Sequence, residues 1–399
     1  MITGTENLLV IAESYPEIIS EFSKHGMGSY FKSENLKKIG RYTVLNTLLK
    51  SSKIDEVSFI AELNRILGEQ KPTAAAELTD LQQQLHLMAM LPCGLRNPFK
   101  DFIEKHILEN ENQYAGLNYL AEGNLNHELS YYPLLDSISS IDELPDIIIA
   151  SDVNNFFHRP FMEKFVKKGF FESWLPYTPN SYLGKAGYFD PEHNFTMLTA
   201  NMLVMVVDQK RLGNRPMPEK WDDLLSADFE NELIMRGEDD FFCNAVMLPF
   251  YKDNGLDAIR ILASNIKSGK HPAEMVKLAG SVKEEAAAVY IMPYFFSKRI
   301  KDPQVKVVWP KDGAIASPVF LLAKKTALKE HQDLLDFLLS KPTGDLLTGR
   351  HFPAVNPESD NSSFPDAVKW LGWDFLTSND IGALKDNIRA TFMQIWTKK

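Results

Sequence analysis

Between Val305 and Lys324 the hydrophobic pattern changes twice within twenty positions. Val305, Val307 and Trp309 alternate with polar residues, as a half-buried strand does. Pro310–Gly313 is turn chemistry, and Val319–Leu322 is a second apolar run of strand length. Leu334, Leu335, Phe337, Leu338 and Leu339 then recur at helical spacing ahead of Lys341-Pro342. One strand ends and another starts in a different packing environment, which predicts a chain returning from one folded lobe to another.

The same patterning organises the rest of the chain. Residues 1–70 predict a small helical unit. Thr5 is placed to cap a first helix carrying Leu8, Leu9 and Ile11, and Pro16 opens a second with Ile18, Ile19 and Phe22 inward, ended by Gly26. Tyr42–Lys50 and Asp55–Leu67 give two more, with Asp55 as N-cap. Lys71–Asp80 is polar and Ala-rich, so 71–82 is assigned as a linker. From residue 83 the pattern becomes β-α-β-α-β-α: strands at Leu85–Leu91, Tyr114–Leu120 and Asp146–Ala150, with helices from Pro98, up to about Ser137 and over Pro160–Lys168. The unbroken apolar run DIIIA is that of a strand buried on both faces of a parallel sheet.

Phe195–Val207 is a long apolar segment without turn residues and predicts the outgoing crossing. Beyond it come a helix from Trp221 to Leu225, a strand at Leu233–Met235 and a helix opened by Gly237–Asp240 and running over Phe241–Tyr251. Asp257–Ser268 and Pro272–Leu278 read as helices and Ala286–Met292 as a strand.

Composition narrows the function. With 399 residues, 44% of them hydrophobic, the chain is long enough for two or three cores. A net charge of −10 and the lack of a basic stripe argue against a nucleic-acid partner. The two cysteines, Cys93 and Cys243, have no zinc or iron–sulfur spacing; two free thiols in a reducing compartment is the reading adopted, with a mutual disulfide as the other. Glu6 and Glu13 stand where a leader peptide would be apolar, and no run reaches membrane-spanning length, so the expectation is a cytoplasmic protein. A chain trimmed of a leader would instead be periplasmic or extracellular.

Two resemblances add to this. The opening "YPE…F…G" and closing "IDEVSFIAELN" of residues 1–70 are similar to a small helical domain of unknown function fused to redox and iron-related proteins. Such domains often carry a cysteine pair after the glycine; here that loop reads GMGSYFKS, which leaves an interaction or packing role. Further on, "RPMPEKWDDLLSADFENELIM", "VKVVWPKDGAIASPVFLLAKK", "LLSKPTGDLL" and "HFPAVNP" follow one another in an order that resembles the extracellular solute-binding proteins of ABC transporters, in the class that includes ferric-ion and sugar-phosphate binders. The resemblance spans roughly residues 83–399. It implies an α/β, periplasmic-binding-protein-like two-lobe fold (class II), here with an N-terminal all-α domain, closing on a small-molecule ligand. Lobe 1 is expected over 83–199 plus 314–399, and lobe 2 over 200–313. An ABC permease, or an intracellular protein held through residues 1–70, is the implied macromolecular partner.

Ligands in open α/β sheets bind beyond the carboxyl ends of strands, where helix N–H groups are free. Three loops there supply candidates: Cys93, Arg96 and Asn97; Asn124 and Asn126; Ser151, Asp152 and Asn155. Arg96 suits a carboxylate or phosphate, although an ordinary surface ion pair explains it too. From the opposite lobe come Asp239, in the acidic run Glu238–Asp240, together with Tyr290 and Tyr294. The run would also serve simply to stabilise a helix start. Ferric binders of the resembled class use tyrosinates, often adjacent; Tyr290 and Tyr294 are four apart, so the main expectation is a polar organic ligand, bound for ABC transport or by an intracellular sensor, and the alternatives are ferric-ion binding or a repurposed non-transport scaffold or regulatory protein. No metal or cofactor is assigned. With His86, His106, His127 and His158 scattered, and no nucleophile elbow or phosphate loop, no enzyme is expected. Cys93, placed near a helix start, would be the residue to examine for one.

Overall fold

The computed structural model describes residues 2–68, 84–123, 131–238 and 241–397. The N-terminal unit is helical as its apolar spacing predicts. Asn7 rather than Thr5 caps the first helix, Leu8–Ser14, its side chain accepting from the Val10 amide at 2.8 Å. Pro16 opens a 3-10 turn leading into Ile19–Lys24, and Gly26 terminates it at a φ of 77°. Three short turns of helix fill 28–40, where only a loop is expected from sequence. Helices Leu45–Ser51 and Glu56–Leu67 follow, the latter capped by Asp55 through the Ser58 amide at 2.8 Å. Lys50 donates to Ser139 at 3.0 Å, and Thr47 donates to Glu143, so this unit docks on the turn that precedes the third strand. The predicted linker, residues 71–82, lies outside the described residues.

The strands are β1 (Leu87–Leu91), β2 (Tyr119–Gly123), β3 (Ile147–Ser151), β4 (Thr196–Asp208), β5 (Leu233–Met235), β6 (Gly237–Glu238), β7 (Phe241–Phe242), β8 (Ile266–Gly269), β9 (Val289–Pro293), β10 (Val305–Val308), β11 (Ala314–Ala323) and β12 (Val368–Lys369). Ten of these form one sheet in the order β2-β1-β3-β11-β4-β9-β5-β8, with β10 beside β4 and β12 beside β11; β6 and β7 make a separate hairpin. β1 runs parallel to both β2 and β3, and the continuous apolar runs of β1 and β3 are those of strands buried on both faces.

The sheet is divided by how β4 is used. Its first eight residues, Thr196–Leu203, pair antiparallel with β11, whereas Leu203–Val207 pair with β9 and Met205–Asp208 with β10. One long strand thus begins in the half made of β2, β1, β3 and β11 and ends in the half made of β10, β9, β5 and β8. β11 lies beside the first part of it, and all ten of its residues are buried. At the crossing Asn201 pairs with Ser317 and Thr199 with Val319, with a register shift between Val319 and Phe320. Hydrogen bonds buttress the spot: the Thr199 hydroxyl donates to Pro353 at 2.7 Å, and the Tyr188 hydroxyl donates to the Thr199 carbonyl at 2.6 Å.

Several boundaries differ from the sequence reading, each for a local reason. The first α/β helix starts at Arg96, two residues before Pro98. The second strand lies at Tyr119–Gly123 because Tyr114–Leu117 forms a turn closed by the Leu117 amide on the Tyr114 carbonyl. Gly237–Glu238 does not open a helix: it pairs with Phe241–Phe242, and the helix begins at Asn244 after Cys243. The two helices expected at Phe241–Tyr251 and Asp257–Ser268 join as Asn244–Asn265 across a kink at Gly255, whose φ of 67° breaks the helical path. The chain after Asn265 becomes β8.

Candidate functional site

The loops at the ends of β1 and β3, the crossing of β4 and β11, and the segments following β5 and β9 enclose one cavity. Pro92, Cys93, Ser151 and Asp152 line it from the first half; Asn201 and Ser317 from the crossing; Arg236, Cys243, His271 and Phe295 from the second. Free space out to its mouth is ≈ 710 Å³, but the centre of a water molecule has only ≈ 60 Å³ in which to move. The interior as it stands has room for only a few waters. Beside the cavity the halves approach closely: a Cβ on Gly94 would stand 2.7 Å from the Phe295 ring. Phe295 also stacks on Phe352, with ring centroids 5.2 Å apart.

Asp152 adopts a φ of 71°, a left-handed conformation that Asp tolerates better than most residues. Its amide donates to the Pro318 carbonyl at 2.7 Å, and its Oδ1 accepts from the Val153 amide at 2.7 Å. The loop after β3 is thereby tied to the crossing strand β11. Behind it, Asn155 donates to Asp136 at 2.7 Å, His158 Nδ1 lies 3.0 Å from the same carboxylate, and Lys385 Nζ lies 3.1 Å from His158 Nε2. Burial lowers the Lys385 pKa against the opposing pull of Asp152, Asp136 and Asp386.

On the facing side, His271 caps the helix Pro272–Leu278 by accepting from the Ala273 amide through Nδ1 at 3.2 Å. A neutral ring in that role carries its proton on Nε2 and so remains a donor. Burial, then the nearby Arg236 charge, lowers the His271 pKa, which favours the neutral ring. Burial first, and Asp152 second, push the Cys243 thiol up to about 11 against the pull of Arg236 and the Ala245 and Val246 amides. At the floor, Asn201 Oδ1 is buried and has no hydrogen-bond partner among the described residues. The wall thus mixes a carboxylate and an unsatisfied acceptor with a guanidinium and an imidazole.

A family model for bacterial extracellular solute-binding proteins matches residues 142–379, more than half of the chain. The chain belongs to that family. Solved structures with a similar fold include the periplasmic binding protein P5PA (15% identity, covering 77% of this chain and 99% of that one, TM-score 0.54). The ferric binding protein from Campylobacter jejuni is similar at 14% identity, over 79% of this chain and 99% of its own, with a TM-score of 0.52. The periplasmic binding protein AfuA from Actinobacillus pleuropneumoniae, with exogenous fructose-6-phosphate bound, is similar at 14% identity over 79% and 98%, with a TM-score of 0.51. No curated protein matches the chain. The α/β periplasmic-binding-protein-like fold with a helical N-terminal unit, expected from the order of motifs, is the one observed.

Cys93, Ser151 and Asp152 line the cavity, as their loop positions suggest. Other candidates sit elsewhere. Arg96 and Asn97 belong to the helix Arg96–Glu109 and are not among the lining residues, and Asn155 is engaged with Asp136. Tyr290 is in the core, its hydroxyl accepting from the Ala287 amide at 3.0 Å, and burial pushes its pKa up to about 12, away from tyrosinate. Tyr294 is buried against Trp309 in a T-shaped contact and lies outside the cavity wall. Asn124, Asn126 and Asp239 fall outside the described residues. Among the described residues no three His, Cys, Asp or Glu side chains are grouped to hold a metal, and no helix is long and apolar enough to cross a membrane.

Asn201, Ser317, Arg236, Cys243 and His271 were not among the sequence candidates. Two of them left a readable trace: Asn201 and Ser317 are polar residues inside largely apolar, buried strands, where a polar side chain needs a partner.

Proposed function

We propose that this solute-binding protein grips a small polar organic solute, such as an organic anion or sugar phosphate, between a lobe formed by 83–199 plus 314–399 and a second formed by 200–313. It would deliver that solute to an ABC permease. The observation that carries this is the cavity's wall: hydrogen-bonding groups from both halves meet beside the paired strands β4 and β11, where Asn201 Oδ1 is buried without a partner among the described residues. Arg236 and neutral His271 suit an anionic or acceptor group, whereas Asp152 and Asn201 suit hydroxyl or amino donors. The fold shared with a fructose-6-phosphate-bound protein is in keeping with this reading. The helical unit 1–70, docked through Thr47 and Lys50, would serve as the contact for the permease or another protein.

Thermal unfolding of the reduced full chain with sugar phosphates, carboxylates, polyamines, amino acids and ferric ion, each in turn, tests the reading. A rise in Tm with a polar organic compound that disappears in Asp152→Ala supports it. A flat response to all of them, or a rise with ferric ion alone, contradicts it.

A further inference from the structure

The only two cysteines in the chain, remote in sequence, meet in the same cavity from opposite halves. Cys93 is exposed on the loop between β1 and the helix Arg96–Glu109; Cys243 is buried at the N-terminus of the helix Asn244–Asn265, and both are free thiols. Gly94, next to Cys93, already touches Phe295 of the second half closely enough that a methyl group would not fit. The space between the walls has ≈ 60 Å³ of room for water centres.

We propose that Cys93 and Cys243 form a reversible thiol–disulfide modification site, bridged across the cleft to hold its two halves closed; this rests on the cleft reading above. The oxidant is a low-molecular-weight disulfide, R–S–S–R. Cys93, exposed and so accessible to the oxidant, attacks one sulfur as its thiolate, forming Cys93–S–S–R and releasing R–S⁻, which takes up the Cys93 proton. Cys243, as its thiolate, then attacks the Cys93 sulfur and expels the second R–S⁻, which receives the Cys243 proton. Two protein thiols are oxidised and one R–S–S–R is reduced to two R–SH. The burial that raises the Cys243 pKa fits the second role, since that thiol reacts only once the first has captured a partner at close range. Disulfide geometry requires Cα atoms within about 7 Å, so the bridge selects the closed arrangement.

The experiment is incubation of the reduced full chain with glutathione disulfide, followed by intact-mass and peptide-mapping mass spectrometry. The expected product is unglutathionylated, lighter by two hydrogens, with a linked Cys93–Cys243 peptide and a raised Tm. Cys243→Ser should stall as a single glutathione adduct on Cys93, and Cys93→Ser should remain unmodified. A wild-type protein that keeps glutathione on Cys93, or that stays unmodified, overturns the proposal. The solute-induced Tm shift of the reduced wild-type protein is read separately, so a failure here is distinct from a failure of the cleft reading.

Discussion

At the scale of single residues, the cleft is set by a few side chains whose neighbours leave them little choice. Asn201 Oδ1 is buried without a partner among the described residues, a position that costs stability until something donates to it. Asn201→Leu, close in volume, should therefore raise the Tm of the solute-free protein, by an amount matching about 1–2 kcal/mol, and abolish any solute-induced rise. An unchanged solute response would remove Asn201 from the site. Gly94 makes a different prediction. Gly94→Ala drives a Cβ into the Phe295 ring and should destabilise by about 1–3 kcal/mol, and Phe295→Ala should relieve most of that loss in the double variant. Simple additivity would show that the two halves do not meet there. Such contacts are hard to read from sequence. Cys93, Ser151 and Asp152 were accessible because strand-end loops are generic binding rims, whereas Arg236 and His271 sit in polar stretches between elements, indistinguishable there from solvated surface.

Among the elements, strands buried on both faces were the most legible, because burial dictates their composition. DIIIA became β3, Leu233–Met235 became β5, and the unbroken run from Phe195 became the thirteen-residue β4. β8, with the sequence IKSG, carries one apolar residue at the sheet's edge and left no comparable trace. The acidic run at Glu238 misled because charges suit a helix start and a polar hairpin equally. β3 and β11 are also joined electrostatically. Asp146, just before β3, is bonded to Lys324 and to His331, each at 3.3 Å, and Gln84 donates to it at 2.6 Å. Burial alone would raise the Asp146 pKa, but the bonds from His331 and Lys324 outweigh it and hold the carboxyl below its ordinary value. A folded pKa below the unfolded one adds stability above about pH 4 and loses it as pH falls through the lowered value. Urea unfolding across pH 2–7 should thus show a flatter acid limb for Asp146→Asn than for wild type. Lys324→Met at neutral pH should cost about 3 kcal/mol by leaving the buried carboxylate underpaired. A parallel acid limb in Asp146→Asn would assign the acid sensitivity elsewhere.

For the molecule as a whole, β4 runs from one half of the sheet into the other, the chain returns from β10 to β11, and the cavity opens where β4 lies beside β11. On the proposed reading, the halves would close around a solute with these linking segments as the hinge. The order of elements made this visible in the sequence; the identity of the solute is not encoded at that level, because a few side chains on the wall decide it. The most direct test is to isolate the full chain from cell extract without added solute and record native mass spectra of wild type and of Asp152→Ala/Asn201→Leu. The account predicts a small polar solute retained by the wild type, released on denaturation and missing from the folded double variant. The same solute held equally by both proteins would place binding outside the cleft and contradict it.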